Sequence, residues 1–197
     1  PKLLLLDEPL AALDVSIKTN VRRLLRGVLG KSNAANILVT HDLLDAVALG
    51  DRMIVIENGG IVQIGTPAEV TARPRSRYVA DLTGVNLLRG TAHRNLLTLD
   101  GGGQLSCAAP ATGTVLAVIP PARVSVTRHR PERQEDNTWP GHISAVDLMG
   151  DRVRVHVDGT PAITAEVQPA AVDELKLDEG GEIWASVSSS DISVYPP

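Results

Sequence analysis

The sequence contains no phenylalanine and only four aromatic residues in 197, namely Tyr78, Trp139, Trp184 and Tyr195. A hydrophobic core must therefore be built from Leu, Val, Ile and Ala, and an aromatic platform for stacking nucleic-acid bases is excluded. The formal net charge of −4 also argues against a nucleic-acid partner, because proteins that bind nucleic acids usually carry a basic surface.

Cysteine and long apolar runs are equally scarce. Cys107 is the only cysteine, so an intramolecular disulfide is impossible, and we expect the thiol to be a small buried apolar side chain. No stretch approaches the roughly 18 uninterrupted apolar residues of a membrane-spanning helix. We therefore expect any membrane role to come through a partner protein.

The first part of the chain alternates strand and helix patterns, which predicts an α/β fold for residues 1–83. Leu3–Leu6 is typical of a buried parallel strand, and Val15–Leu29 has the periodicity of an amphipathic helix. Glu57–Gly60 contains the Asn-Gly pair of a tight hairpin turn.

The second part, residues 85–197, consists of short alternating segments separated by Gly, Pro, Asp and Asn, which predicts a small antiparallel β-barrel. The mixed-charge segment 127–138 is either a basic nucleic-acid patch or a solvated loop, and its balancing acids favour the loop. A short helix is expected over Pro169–Leu175, and Trp184 is expected to lie in the core.

Two adjacent carboxylates, Asp7 and Glu8, follow the apolar strand at the edge where α/β folds keep their ligands. A carboxylate there can hold Mg²⁺, and its neighbour can polarise the water that attacks a nucleotide γ-phosphate. Two acids at a strand end also arise by chance, so the pair alone leaves a structural role open. Asp14 closes the next connector at a helix start, and His41 ends a second apolar strand.

This ordered series resembles the C-terminal half of an ATP-binding-cassette (ABC) transporter ATPase. The resemblance implies that Asp7 binds magnesium, that Glu8 is the catalytic base, that Ala11–Asp14 is the D-loop, with Asp14 at the nucleotide, and that His41 is the switch histidine. It also implies ATP and Mg²⁺ as cofactors, a homodimer of ATPase subunits, and membrane permease subunits and a substrate-binding protein as partners. The expected location is cytoplasmic, on the inner face of the cell membrane.

The 197 residues contain no Gly-x-x-x-x-Gly-Lys-Ser/Thr phosphate loop, no Leu-Ser-Gly-Gly-Gln signature and no Q-loop. We therefore expect this chain alone neither to bind ATP tightly nor to hydrolyse it. Without the phosphate-loop strand beside it, Leu3–Leu6 is expected to expose apolar surface, and the first half is expected to be poorly stable.

Four stretches of the second half stand out, namely 86–90, 141–146, 163–167 and 181–187. They resemble the TOBE/Mop barrel of importer ATPases, and most closely that of molybdate-type oxyanion importers; sulfate, sugar, iron and polyamine importers carry related barrels. The expected fold class is thus α/β, the C-terminal part of a P-loop ABC ATPase domain, followed by an all-β, OB-like TOBE/Mop barrel. The resemblance implies a possible oxyanion site formed by Ser144, Ala145, Ser188, Ser189 and Ser190. Serine stands where a lysine often opens the second stretch, which removes one charge-assisted contact.

Two interpretations follow. The first is part of the ATP-hydrolysing subunit of a bacterial-type ABC importer for molybdate or a related oxyanion. The alternative is a free-standing TOBE/Mop module that binds an oxyanion or regulates, without ATPase activity. The barrel also admits a role in dimer contact and regulation alone.

Overall fold

The structure, a computed structural model, describes residues 2–131 and 137–197, apart from the side chain of Val15. Part of the mixed-charge segment 127–138 thus lies outside the described residues. The chain divides into two compact units, Pro1–Pro74 and Arg75–Pro197. The helix Arg77–Thr83 lies within the residues 1–83 that the sequence grouped as the first part, and it falls in the second of these units.

The first unit follows the predicted alternation of strands and helices. Its elements are β1 (Leu3–Asp7), α1 (Val15–Leu29), β2 (Ala35–Val39), α2 (Leu43–Leu49), β3 (Met53–Glu57), β4 (Gly60–Gly65) and α3 (Pro67–Ala72). Strands β1 and β2 pair in parallel, with Asp7 opposite Val39. Strands β3 and β4 form the predicted hairpin, in which Asn58 has φ 49° and Gly59 has φ 78°.

One face of the β1–β2 pair is open to solvent. Leu5 is 62% exposed, and Leu3, Ile37 and Val39 on the same face are about half exposed. The expected exposure of apolar surface on β1 is therefore present, because each of these side chains lacks a packed neighbour over much of its area.

The second unit is built almost entirely from strands. Its elements are α4 (Arg77–Thr83), β5 (Asn86–Leu99), β6 (Gln104–Ile119), β7 (Ser125–Thr127), β8 (Asn137–Met149), β9 (Arg152–Gly159), β10 (Ile163–Val167), α5 (Pro169–Glu174), β11 (Glu182–Val187) and β12 (Ser193–Tyr195). Five strands pair in the order β10-β9-β8-β11-β7, and three in the order β12-β6-β5. The core between them consists mainly of Leu, Val, Ile and Ala, as the scarcity of aromatics requires.

The strand pairing of this unit contains an internal two-fold repeat, which relates residues 86–127 to residues 137–195. In one half β7 pairs with β11, so that Val126 lies opposite Ala185. In the other half β12 pairs with β6, so that Val194 lies opposite Ala117. In both halves a strand, β6 in the first and β11 in the second, leads through a short 3₁₀ helix into the strand that crosses to the other half.

Two asparagines hold the two halves together. Asn86 and Asn137 begin the first strand of each half, and each side-chain amide bonds the N–H and the C=O of a residue in the opposite half, plus one carbonyl in its own. The residues held are Thr164 and Ile119 by Asn86, and Ser106 and Val187 by Asn137.

Two glycines repeat with the same symmetry. A Cβ atom at Gly90 would lie 2.2 Å from the Thr98 carbonyl oxygen, and one at Gly141 would lie 2.7 Å from that of Asp158. Because neither carbonyl belongs to a flexible side chain, any larger residue would force the backbone apart at both places.

Two expectations for this unit were wrong in detail. Trp184 is half-buried at the surface, where the Arg130 guanidinium lies 5.5 Å from its ring centroid, so it is not a core residue. Strands β5 and β6 are much longer than the short segments expected, because polar, glycine and proline residues within them conceal the alternation.

Candidate functional site

The carboxyl ends of β1 and β2 bring two of the predicted site residues together. Glu8 follows β1 directly, and its main-chain N–H donates to the Val39 carbonyl at 2.9 Å. The Oε1 atom of Glu8 accepts from the main-chain N–H of His41 at 3.0 Å and lies 2.8 Å from Nδ1 of the same residue. Parallel pairing therefore places the expected base beside the expected switch histidine.

The backbone at Glu8 is strained. Its φ is 44°, in the left-handed region that a glutamate rarely adopts, and such strain persists only where surrounding contacts enforce it. The three hydrogen bonds to Val39 and His41 supply that enforcement. Together they aim one glutamate oxygen at His41.

The side-chain contact between Glu8 and His41 joins Oε1 to Nδ1. An ionised carboxylate only accepts hydrogen bonds, so this geometry suits a His41 ring that donates from Nδ1. The His41 side chain is 75% exposed and that of Glu8 is 35% exposed. Much of the imidazole and part of the glutamate side chain are therefore accessible at the strand ends.

Asp7 and Asp14 lie near this edge in sequence but, among the described residues, make no side-chain hydrogen bond to Glu8 or His41. Asp7 is the exposed last residue of β1. Asp14 occupies the N-cap position of α1, where its carbonyl accepts from Ile17 and Lys18, but its side chain does not cap the helix.

The carboxylates at these strand ends fit Mg²⁺ only if water and substrate phosphates supply most of its ligands. In the described ranges no group of three or more His, Cys, Asp or Glu side chains is arranged to hold a metal ion. Mg²⁺ commonly takes one or two protein carboxylates and completes its shell with water and substrate phosphates. A single exposed carboxylate at Asp7 is consistent with that mode of binding.

A cluster of four charged side chains between α1 and α2 was not found by sequence reasoning. Arg22 forms a two-nitrogen contact with Asp45, and Lys18 Nζ lies 3.4 Å from Asp42. The spacing of Lys18 and Arg22, one helical turn apart, was the available signal.

Asp42 is the N-cap of α2, and its side chain accepts from the Leu44 and Asp45 amides. Partial burial alone would raise the pKa of Asp42, but hydrogen bonds from the Asp45 and Leu44 amides and the Lys18 ammonium outweigh burial and lower it. The carboxylate is thus held ionised at the start of the helix that directly follows His41.

The two serine stretches of the expected oxyanion site lie at opposite ends of β11 within one chain. Ser144 is the extra residue of a β-bulge in β8, and its neighbour Ile143 bonds to Gly181 just before β11 begins. Ser188 follows the last residue of β11. Six residues of extended strand separate the stretches by roughly 20 Å, so a single small anion cannot touch both.

The second stretch forms a compact polar turn of its own. Ser188 and Ser190 hydroxyls are 2.9 Å apart, and the Ser190 N–H donates to the Ser188 hydroxyl at 3.4 Å. The symmetry-related turn in the first half, Pro120–Ala122, contains no hydroxyl group. The internal repeat therefore carries this polar turn only once.

Comparison with known proteins identifies both parts of the chain. Residues 133–194 match the TOBE domain family. The whole chain is 37% identical to the molybdenum import ATP-binding protein ModC of Mycobacterium tuberculosis, covering 56% of it. It is 32% identical to the sulfate/thiosulfate import ATP-binding protein CysA of Bacillus cereus, again covering 56%. The chain thus spans a little over half the length of these relatives.

A solved structure agrees with the β-rich fold. The cytoplasmic molybdate-binding protein ModG matches 57% of this chain and 96% of its own, with a TM-score of 0.50 and 23% identity. The resemblance expected from the sequence, to ABC importer ATP-binding subunits that carry a TOBE domain, is confirmed by these matches.

None of the helices in the described ranges is long and apolar enough to cross a membrane.

Proposed function

We propose that this chain is part of the ATP-hydrolysing subunit of an ABC importer whose substrate is molybdate or a related oxyanion. The observation that carries the proposal is the Glu8 carboxylate, held by both the main chain and the ring of His41 at the carboxyl ends of two parallel strands. Relatives named for molybdenum and sulfate import support the substrate class.

In the proposed reaction, Glu8 uses its second oxygen to orient and polarise the water that attacks the γ-phosphate of ATP. The bond to His41 holds the glutamate rotamer, so no reorganisation is needed when the water arrives. The exposed part of the His41 ring then contacts the γ-phosphate and registers its presence. Asp14 belongs to the loop that reaches the nucleotide.

Asp7 is the residue proposed to hold Mg²⁺, which, when bound with ATP, would neutralise part of the phosphate charge. We further propose that the subunit acts as a homodimer on the cytoplasmic face of the membrane, with permease subunits and a substrate-binding protein as partners. The phosphate loop absent from these 197 residues must come from elsewhere in the working subunit.

The test measures MgATP hydrolysis by a full-length subunit that contains this chain. Glu8→Gln is expected to lower kcat by about 10²–10⁴-fold, the usual contribution of a general base, with little change in KM for ATP. Asp51→Asn, at an exposed acid in the same unit, is the matched control. A Glu8→Gln subunit that keeps the control's kcat would refute the role of Glu8.

The Ser188–Ser190 turn favours a second candidate function, in which the barrel itself binds an oxyanion through hydroxyls and main-chain amides. Calorimetric titration of this chain with molybdate, with sulfate as competitor, tests it. Replacing Ser188 and Ser190 by Ala is expected to weaken binding roughly tenfold, about the worth of one hydrogen bond to a charged group. Ser193→Ala, on the exposed side of β12, is the control, and equal affinities for all three proteins would exclude the turn.

A further inference from the structure

The charged cluster between α1 and α2 has the construction of a rigid connection. The Asp45 side chain is only 4% exposed, and both Nε and Nη2 of Arg22 bond to its Oδ1 atom. Arg22 is itself only 15% exposed. A carboxylate this deeply buried needs a charged partner, so α2 cannot shift along α1 without breaking the contact or exposing the acid.

The cluster continues to Asp42, the residue that directly follows His41. Asp42 accepts from Lys18 and caps α2 through the Leu44 amide at 2.8 Å. Its own N–H donates to the Thr40 hydroxyl at 3.1 Å. Asp42 is thus held by Lys18 on one side and by Thr40 on the other. His41, whose N–H donates to Glu8, lies between Thr40 and Asp42 in the chain.

At its other end the cluster reaches the predicted nucleotide loop. Lys18 is in the first turn of α1, where its N–H donates to the carbonyl of Asp14 at 2.9 Å. A single turn of helix therefore joins Asp14 to Lys18, and one ion pair joins Lys18 to Asp42. The Asp14 loop and His41 are therefore connected by side-chain contacts as well as by the backbone that runs between them.

We propose that Lys18 and Arg22 are positioning residues that tie the Asp14 loop to His41 and so hold the Glu8–His41 contact. This proposal rests on the proposed function for its catalytic consequence, but the connection itself is a property of the first unit. Two ion pairs make this connection, the buried Arg22–Asp45 pair and the more exposed Lys18–Asp42 pair, and both hold the first turn of α2.

Hydrogen exchange in the full-length subunit without nucleotide tests the connection. Arg22→Lys keeps the charge beside Asp45 but loses the two-nitrogen contact, and it is expected to speed exchange of the His41 amide roughly tenfold. Lys18→Met leaves Asp45 paired, so the helix pair should fold, and roughly threefold acceleration is expected. Arg26→Met, at an exposed position of α1, is the matched control.

The Glu8 amide, bonded to Val39, is the internal reference. Faster exchange at His41 with unchanged exchange at Glu8 supports the proposal. Equal acceleration at both amides shows only general destabilisation and overturns it, as does no change at His41.

A second measurement separates this proposal from the function on which it rests. In the full-length subunit, Arg22→Lys is expected to lower kcat severalfold while KM for ATP stays constant. If His41 exchange accelerates but kcat does not fall, the connection stands and the catalytic role of the Glu8–His41 contact is overturned. If kcat falls with no change in exchange, the connection is overturned.

Discussion

Replacing Asn137 by Ala should be one of the most destabilising polar substitutions in the barrel. Asn137 is 5% exposed, and its side-chain oxygen accepts from the Ser106 N–H. Its side-chain nitrogen donates to the carbonyls of Ser106 at 3.0 Å and Val187 at 3.2 Å. Alanine would leave three main-chain groups without this partner. Each unsatisfied buried group costs about 1–3 kcal/mol, and because water can reach the half-buried Ser106, we expect about 3 kcal/mol in total.

The internal repeat supplies graded controls for this substitution. Asn86→Ala removes the symmetry-related contacts, but Asn86 is half-buried, so a loss of about 1–2 kcal/mol is expected. Asn95→Ala removes two bonds, to the carbonyls of Cys107 and Ala108, from an exposed side chain, and should cost less than about 1 kcal/mol.

Urea unfolding followed by tryptophan fluorescence measures these free energies selectively. Both tryptophans, Trp139 and Trp184, lie in the second unit, so the signal reports the barrel alone. The urea midpoint should be highest for Asn95→Ala, lower for Asn86→Ala and lowest for Asn137→Ala. The dependence of the unfolding free energy on urea concentration should be the same for all three. An Asn137→Ala barrel as stable as the Asn95→Ala barrel would refute the claim that the buried clamp joins the two halves.

Two further predictions concern acid stability and thiol reactivity. Because the pKa of Asp42 is lowered on folding, its ionised form adds stability above the unfolded pKa, and that stability is lost as pH falls through the folded pKa. Asp42→Asn, which keeps an N-cap acceptor, should therefore be less stable than the parent at neutral pH and equally stable at the acid limit in urea unfolding followed by circular dichroism; a constant difference would contradict this. Burial raises the pKa of Cys107, so the native chain should react with a thiol reagent only as fast as the barrel unfolds, and rapid labelling would contradict its core position.

Sequence patterns predicted the first unit well because its determinants are local. Asn58 and Gly59 specify the hairpin turn by their tolerance of positive φ, and the Asp42 side chain caps the helix that immediately follows it. The Glu8–His41 contact depends on one additional fact, the parallel pairing of two short apolar strands. The Arg22–Asp45 contact was not predictable in the same way, because it depends on how two helices pack.

The second unit was less predictable because its determinants are distant in sequence. Asn86 and Asn137 look like ordinary turn residues until the strands they clamp are known. Trp184 has the large apolar side chain of a typical core residue, yet it lies on the outer face of β11, where the Arg130 guanidinium covers its ring. The Ser144 and Ser188 stretches were grouped by resemblance, whereas the length of β11 keeps them apart.

The register of β1 against β2 decides the chemistry of the strand ends. Because Asp7 lies opposite Val39, Glu8 at the end of β1 comes close to His41 just beyond the end of β2. The Glu8 carboxylate then contacts both the main-chain nitrogen and Nδ1 of His41. A slip of one residue would move His41 by about 3.3 Å and turn alternate side chains to the opposite face. The contact would then be lost although every residue of the motif remained. The order of residues carries the resemblance to the family, but the pairing of these two strands is what turns that order into a candidate site.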